Sequence, residues 1–510
     1  MTILLKNFLL VDGTNRPITK VDVLVKNDRI AALGYFPAFK ADEVIDGLGA
    51  AYLSPGFIDI SGNADLYLTL FSNPSQKENL LQGATTVIGG QGGISLAPLL
   101  YGSLDLNKFW ADTDKINVNW HTMKEFFTSV SDKKFGINFG TLVGHSTIRR
   151  AITGDEIRDL TSKELDVFKY ILDKALKEGA FGISFNLDFP LTNLVPQKEI
   201  KPLLEIVEKR KGLFSINLRG VSDLTVYPKE AKKKFIAAVE EIINFSKETG
   251  VKTQINNFLC LKGFLKEYKT ALETISENMA TADMSFNFHP FELSIIPIFY
   301  FLPVWAQRGG FNDILKNLES KEIVDKIKKD LPAFEAEKIK IFNAPAHAYL
   351  AGKSLKDFCN NRNLDAKDGL IELMKLTGLR LELAYNNLST KFFSDAITHD
   401  RSIISSSFSG FPQNHPGNSV SEFSAAFPEF LKLIINKKVI PLETAINKIT
   451  GLPARQLGIT DRGVIREGYF ADLTTFRDSK IETVIVNGKI VVRNGEFQNN
   501  SGGRILKYLQ

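Results

Sequence analysis

Leu53-Ser-Pro-Gly-Phe-Ile-Asp-Ile-Ser-Gly-Asn-Ala-Asp65 is the stretch on which the reading of the fold turns. Phe57-Ile58-Asp59-Ile60 reads as a short buried strand, entered through the Pro55-Gly56 turn and left through a polar loop. Ser61 and Asn63 follow at a spacing of two, so in extended chain both side chains point to one face at the strand's carboxyl end. Two histidines at that spacing could grip a metal ion. A serine and an asparagine hold one poorly.

Outward from this strand, the middle of the chain alternates strand and helix patterns. Thr85–Ile88, Thr141–Val143, Phe181–Ser184, Phe214–Asn217 and Lys252–Ile255 read as strands. Helical patterns lie between them, one opened by a Thr161–Glu164 capping box, others over Glu199–Lys211 and Lys229–Thr249. Repeated βα units imply a parallel sheet of the α/β class. Residues 290–345 break the rhythm with Pro297, Pro303, Trp305 and Gly309-Gly310, and read as an insertion. The two ends have another style. Ile3–Lys6, Val21–Val25 and Arg29–Leu33 at one end, and Ala471–Phe476, Thr483–Gly488 and Lys489–Arg493 at the other, are short strands parted by turns. Asn487-Gly488 is a strong hairpin signal. Residues 1–54 and 457–510 are therefore expected to build one small β-sandwich around a domain spanning 55–456.

Composition narrows the function classes. The chain has 510 residues, 44% hydrophobic and 24% charged, with a net charge of +5. That balance suits a globular protein of one large and one smaller domain. Lys232, Lys233 and Lys234 sit at helical spacing without interleaved aromatics, which reads as a solvated helix face and not a nucleic-acid site. Cys260 and Cys359 lie in apolar surroundings and suggest no disulfide framework. The opening Met1–Lys6 lacks the pattern of a signal peptide, and no apolar run is long enough to span a membrane. The expected location is the cytoplasm.

Several stretches, in order, resemble the N-acyl-D-amino-acid deacylase (D-aminoacylase) group of the amidohydrolase superfamily. They include Pro55-Gly-Phe-Ile-Asp59, Gln82-Gly-Ala-Thr-Thr-Val87, Ser95-Leu-Ala-Pro98, Val143-Gly-His-Ser-Thr-Ile-Arg149 and Gly179-Ala-Phe-Gly-Ile-Ser184. Leu302-Pro-Val-Trp-Ala306, Pro453–Gly463 and Gly468-Tyr-Phe-Ala-Asp472 complete the set. The resemblance implies a (β/α)8 TIM-like barrel with a β-sandwich formed by both chain ends, and an active site at the carboxyl ends of the strands. It also implies hydrolysis of the amide C–N bond of N-acyl-D-amino acids, by a zinc-activated water and an aspartate base.

Carried over residue by residue, the resemblance also implies that the chemistry is gone. The group's His-x-His pair falls on Ser61 and Asn63. Its Cys ligand falls on Gln91, within Gly89-Gly-Gln-Gly-Gly93. Two further ligand histidines fall on Asn217 and Asn257, and a Lys on Leu259. The aspartate base falls on Ser407, and the arginine thought to hold the substrate carboxylate falls on Gly417, after His415-Pro416. Amides and hydroxyls are weak zinc ligands and leave no anion to offset the metal's charge. Water without zinc keeps a pKa of about 15.7 rather than about 7.

The expectation is thus a metal-free, catalytically impaired chain with no cofactor. Ser61, Asn63, Gln91, Asn217 and Asn257 would line a polar pocket, and His145, His289, Asp59 and Arg219 are further pocket candidates. Asp65 is a candidate for the rim, His415 belongs to a kept loop and reads as structural, and His121, His347 and His399 carry no functional signal. The expected ligand is a small acylated amino acid or peptide. Self-association, or association with an active homologue, is the expected partnership. The competing reading is a hydrolase that still works with other groups, such as His145 with Ser406 or Ser407.

Overall fold

The computed structural model describes residues 1–189, 192–221, 228–307, 309–331, 334–406 and 425–508, the side chains at 228–231 and 233 excepted. Eight parallel strands among them form the barrel: Phe57–Asp59, Ala84–Gly89, Asn138–Thr141, Gly182–Asn186, Leu213–Asn217, Lys252–Ile255, Met284–Phe288 and Ser402–Ile404. The third strand resumes after Leu142 as Val143–Gly144, which pairs with the fourth. Each strand is buried along nearly its whole length, as parallel strands covered by helices must be.

The register carries information. Ser184 pairs with Ser215, Ser215 with Gln254, and Gln254 with Ser285. Paired residues share a face, so one layer across four neighbouring strands is small and polar. Asn186 pairs with Asn217 two residues further on, at the carboxyl ends of their strands.

Both chain ends contribute to two packed sheets. One holds Arg29–Gly34, Asp22–Lys26, Thr2–Lys6 and Glu43–Asp46; the other joins strands from 9–55 to strands from 473–497. The seam pairs Leu53 with Thr475 and Tyr52 with Phe476. Ile3, Leu5, Val23, Val25, Leu53, Leu473 and Ile485 fill the space between the sheets. Asn487 and Gly488 both take positive φ, 48° and 75°, as a two-residue hairpin turn requires, and Val486 pairs with Lys489 across it.

A third unit covers the carboxyl ends of the barrel strands. Its antiparallel sheet has Glu382–Tyr385 in the middle, flanked by Ser294–Pro297 and Ile339–Asn343. Helices Phe311–Glu319, Lys321–Asp330, Leu355–Asn360 and Ala366–Thr377 pack on it through a core of its own, including Ile298, Phe299, Ile341, Leu370, Met374 and Leu383. The insertion expected over 290–345 therefore continues to Tyr385. Its central strand comes last in the chain, and the unit cannot close without it.

Candidate functional site

A cavity of about 200 Å³ lies between the strand ends and this third unit. Asn63, Gln91, Asn186, Asn217, Asn256 and Asn257 form its floor, while Tyr67, Trp110, Tyr300 and Glu382 belong to its walls. Asn257 holds φ of 54°, a left-handed conformation that asparagine tolerates better than most residues. The turn leaves its backbone N–H donating to Asn287 Oδ1 at 3.1 Å.

The amides on the floor bond largely to protein. Gln91 Nε2 donates to the Ile60 carbonyl at 2.6 Å, and its Oε1 accepts from the Ser215 hydroxyl at 2.7 Å. Asn217 Oδ1 accepts from Asn256 Nδ2 at 3.0 Å. Asn287 Nδ2 donates to Ser405 Oγ at 2.6 Å, and its Oδ1 accepts from Gln254 Nε2 at 3.3 Å. Zinc needs imidazole, thiolate or carboxylate donors converging on one point. Among the described residues no three His, Cys, Asp or Glu side chains gather in that way. The donor set at the strand ends does not fit the ion.

The remaining candidates scatter. Ser61 is buried below the floor, its N–H donating to Asp59 Oδ1 at 3.2 Å. Asp59 also accepts from the Ser406 backbone N–H at 3.2 Å and from the Ser406 hydroxyl, so it ties the first barrel strand to the last. Asp65 accepts from Gly90 N–H beneath the glycine loop, and burial lifts its carboxyl to about 6. A Cβ on Gly89 would meet Asp65 Cγ at 2.7 Å, so that loop position needs a glycine.

His145 and Arg219, expected at the pocket, are not among its lining residues. His145 opens the helix His145–Thr153, and its ring stacks on Phe185 and Phe168 with centroids 4.2 and 5.3 Å away. Its Nε2 lies 2.9 Å from Glu199 Oε1, which also accepts from Arg149 Nε at 3.0 Å. Burial lowers the His145 pKa, Glu199 opposing it. Arg219 donates to the carbonyls of Asn193 and Val195 and to Glu241, stapling a loop to the helix Pro228–Thr249. His289 is fully buried, accepts from Phe291 N–H at 3.4 Å, and is pushed down to about 3 by desolvation. His121 lies 3.1 Å from the Leu99 carbonyl and His399 bonds Ser276, as ordinary structural histidines do. Ser407, His415 and Gly417 lie outside the described residues.

With the geometry in view, three comparisons place the chain. Residues 415–492 match the family model described as Amidohydrolase family. The N-acyl-D-aspartate deacylase of Alcaligenes xylosoxydans xylosoxydans is 26% identical over 500 residues, spanning 95% of this chain and 88% of its own. The D-aminoacylase of the same organism is 26% identical over 523 residues, spanning 99% and 97%. A crystal structure of D-aminoacylase superposes with a TM-score of 0.79 at 25% identity, covering 99% of both chains. Over nearly its whole length the chain is similar to the D-aminoacylase-like amidohydrolases.

Within this D-aminoacylase-like barrel, the wall opposite the floor holds a group that the sequence reading passed over. Glu382 is buried in the central strand of the third unit. Its Oε1 accepts from Tyr67 OH at 3.2 Å and its Oε2 from Asn343 Nδ2 at 2.9 Å. Burial raises its carboxyl to about 7, against the hydrogen bonds from Asn343, Tyr67 and Trp110. The signal in sequence was Leu381-Glu382-Leu383, a carboxylate between two core leucines. Asp188 also lines the cavity, after the fourth barrel strand.

Proposed function

We propose that this chain has lost zinc-dependent amide hydrolysis and works as a small-molecule-binding protein on a D-aminoacylase-like scaffold, with the cavity at the strand ends as its binding site. The observation that carries this reading is Gln91. It stands where the family's cysteine ligand falls, and both ends of its amide are engaged, by Ile60 and Ser215. A residue so tied cannot turn to a cation without leaving a buried polar partner unpaired, a cost of about 1–3 kcal/mol. The position of His145, closed in by Phe185, Phe168 and Glu199, argues against a substitute base working with Ser406.

The deciding experiment is elemental analysis of the purified protein, paired with assays on N-acyl-D-amino acids with and without added zinc. The expected result is far less than one zinc per chain and no turnover. Near-stoichiometric zinc with chelator-sensitive hydrolysis would sink the proposal. A binding role predicts thermal stabilisation by ligand, about 2.7 kcal/mol at one hundred times the dissociation constant. Among the described residues no helix is long and apolar enough to cross a membrane, in keeping with a proposed cytoplasmic site of action. Association with an active homologue belongs to the same proposal, and co-purification from cells carrying both chains tests it.

A further inference from the structure

Two amides on the cavity floor form an unfinished pair. Asn256 Nδ2 donates to Asn217 Oδ1 at 3.0 Å. Asn256 is 4% exposed, yet among the described residues its Oδ1 is a buried acceptor without a partner. Asn217 Nδ2 likewise has no protein acceptor among them. Both residues line the cavity, so one bonded pair offers it a spare acceptor and a spare donor side by side.

Glu382, on the far wall, is equally two-sided. Burial lifts its carboxyl to about 7, so near neutrality it is present both as an acceptor and as an acid that donates. Asn343, Tyr67 and Trp110 donate to it, and a carboxylate has about four places for a donor. A hydroxyl gives and takes a hydrogen bond, so it suits either form of Glu382 and either end of the amide pair. The rings of Trp110, Phe189 and Tyr300 stand in the same lining. Their negative π-faces attract the polarised C–H groups of a ring that carries oxygens. The cavity, about 200 Å³, is smaller than the roughly 300–1,000 Å³ of sites for drug-sized ligands, which suits a single ring. An acyl amide would satisfy one donor and one acceptor and leave the rest unmet. A ring with hydroxyls around its rim and C–H groups on its faces meets the floor, the carboxyl and the aromatic wall together.

Resting on the reading of the cavity as a ligand site, we propose that its ligand is a monosaccharide. Two neighbouring hydroxyls span Asn256 Oδ1 and Asn217 Nδ2, another meets Glu382, and one C–H face lies on the aromatic wall.

The test is calorimetric titration of the full chain with D-glucose, D-galactose and D-mannose, beside cyclohexanemethanol and N-acetyl-D-alanine. At least one hexose is expected to bind about tenfold or more tighter than cyclohexanemethanol, which has the ring without its rim of hydroxyls. N-acetyl-D-alanine should bind more weakly than that hexose. Asn256→Ala should weaken the hexose about fivefold or more and leave cyclohexanemethanol unchanged. If that variant does not fold, Asn217→Ala takes its place, and the order of the probes on the wild-type chain decides in either case. Cyclohexanemethanol binding as tightly as every hexose, or a hexose affinity untouched in the folded variant, overturns the proposal. Binding of N-acetyl-D-alanine without any hexose overturns it too, while leaving the cavity a ligand site; silence from every probe counts against both readings. Zinc-dependent turnover would strike instead at the loss of hydrolysis, and it is measured separately.

Discussion

Two buried polar clusters in this molecule are built from similar residues and are finished differently. Between the sandwich and the third barrel strand, Arg462 donates to Asp472 and to Asn487 Oδ1, the latter at 2.9 Å. Asn138 Nδ2 donates to Asp472 Oδ2 at 2.9 Å, and Asn487 Nδ2 returns a bond to Asn138 Oδ1 at 2.7 Å. These side chains serve one another, and the cluster closes. At the barrel mouth, Asn217, Asn256 and Gln91 also bond to protein, but among the described residues Asn256 Oδ1 is left over, and Glu382 stands across the cavity. A closed cluster fastens two units together. One with a buried acceptor to spare leaves a hydrogen bond unmade.

The contrast breaks or sharpens at four positions. The largest effect is expected for Arg462→Ala, which leaves Asp472 buried without its cation. Loss of a buried partner costs about 3–5 kcal/mol, so thermal unfolding should begin many degrees earlier. A loss below about 1 kcal/mol would remove the fastening role. Next comes Glu382→Gln, through pH. The Glu382 carboxyl rises on folding from 4.5 to about 7, so the folded chain holds a proton that the unfolded chain releases between those values. That contribution is fully present below pH 4.5 and is lost as pH rises to 7, at about 1.4 kcal/mol per pH unit. The variant should therefore gain on the wild type in melting experiments between pH 5 and pH 7, and the gap should stay level above pH 7. A gap that does not move with pH would mean that Glu382 is already ionised.

Gln91→Ala removes both bonds of one amide and strands Ser215 Oγ, and chemical denaturation should register about 1–3 kcal/mol. Asn256→Ala is expected to change least, by about 1 kcal/mol, since only the bond to Asn217 is lost. If Asn256→Ala proves as damaging as Arg462→Ala, the mouth is as closed as the sandwich seam and the distinction between the clusters falls.

The frame of this fold was written locally. The Thr161–Glu164 capping box and the Asn487-Gly488 hairpin have short-range causes, and the structure holds both; the turn expected at Pro55-Gly56 is instead the end of the strand Tyr52–Pro55, with Gly56 linking it to the buried strand Phe57–Asp59. The cavity's far wall was not written that way. Glu382 reaches its place through a sheet whose strands are tens of residues apart, and in sequence it is one acid between leucines. Arg219 and His145 misled for a related reason. Their motifs survive from relatives, but the partners that decide their role here, Glu241 and Glu199, belong to other helices. The positions that the resemblance assigns to metal ligands could be marked from the chain alone, because residue type is visible there; where each amide points is not.

The seam between Tyr52–Pro55 and Leu473–Arg477 has a consequence for how the protein is made. Ser54 and Thr474 meet across 420 residues of chain. At about 5–20 residues per second on the ribosome, that separation is roughly 20–80 s of translation. Throughout that interval the strand Tyr52–Pro55 has its early partner Leu9–Leu10 on one side only, and its other edge stays unpaired until Leu473–Arg477 has been made.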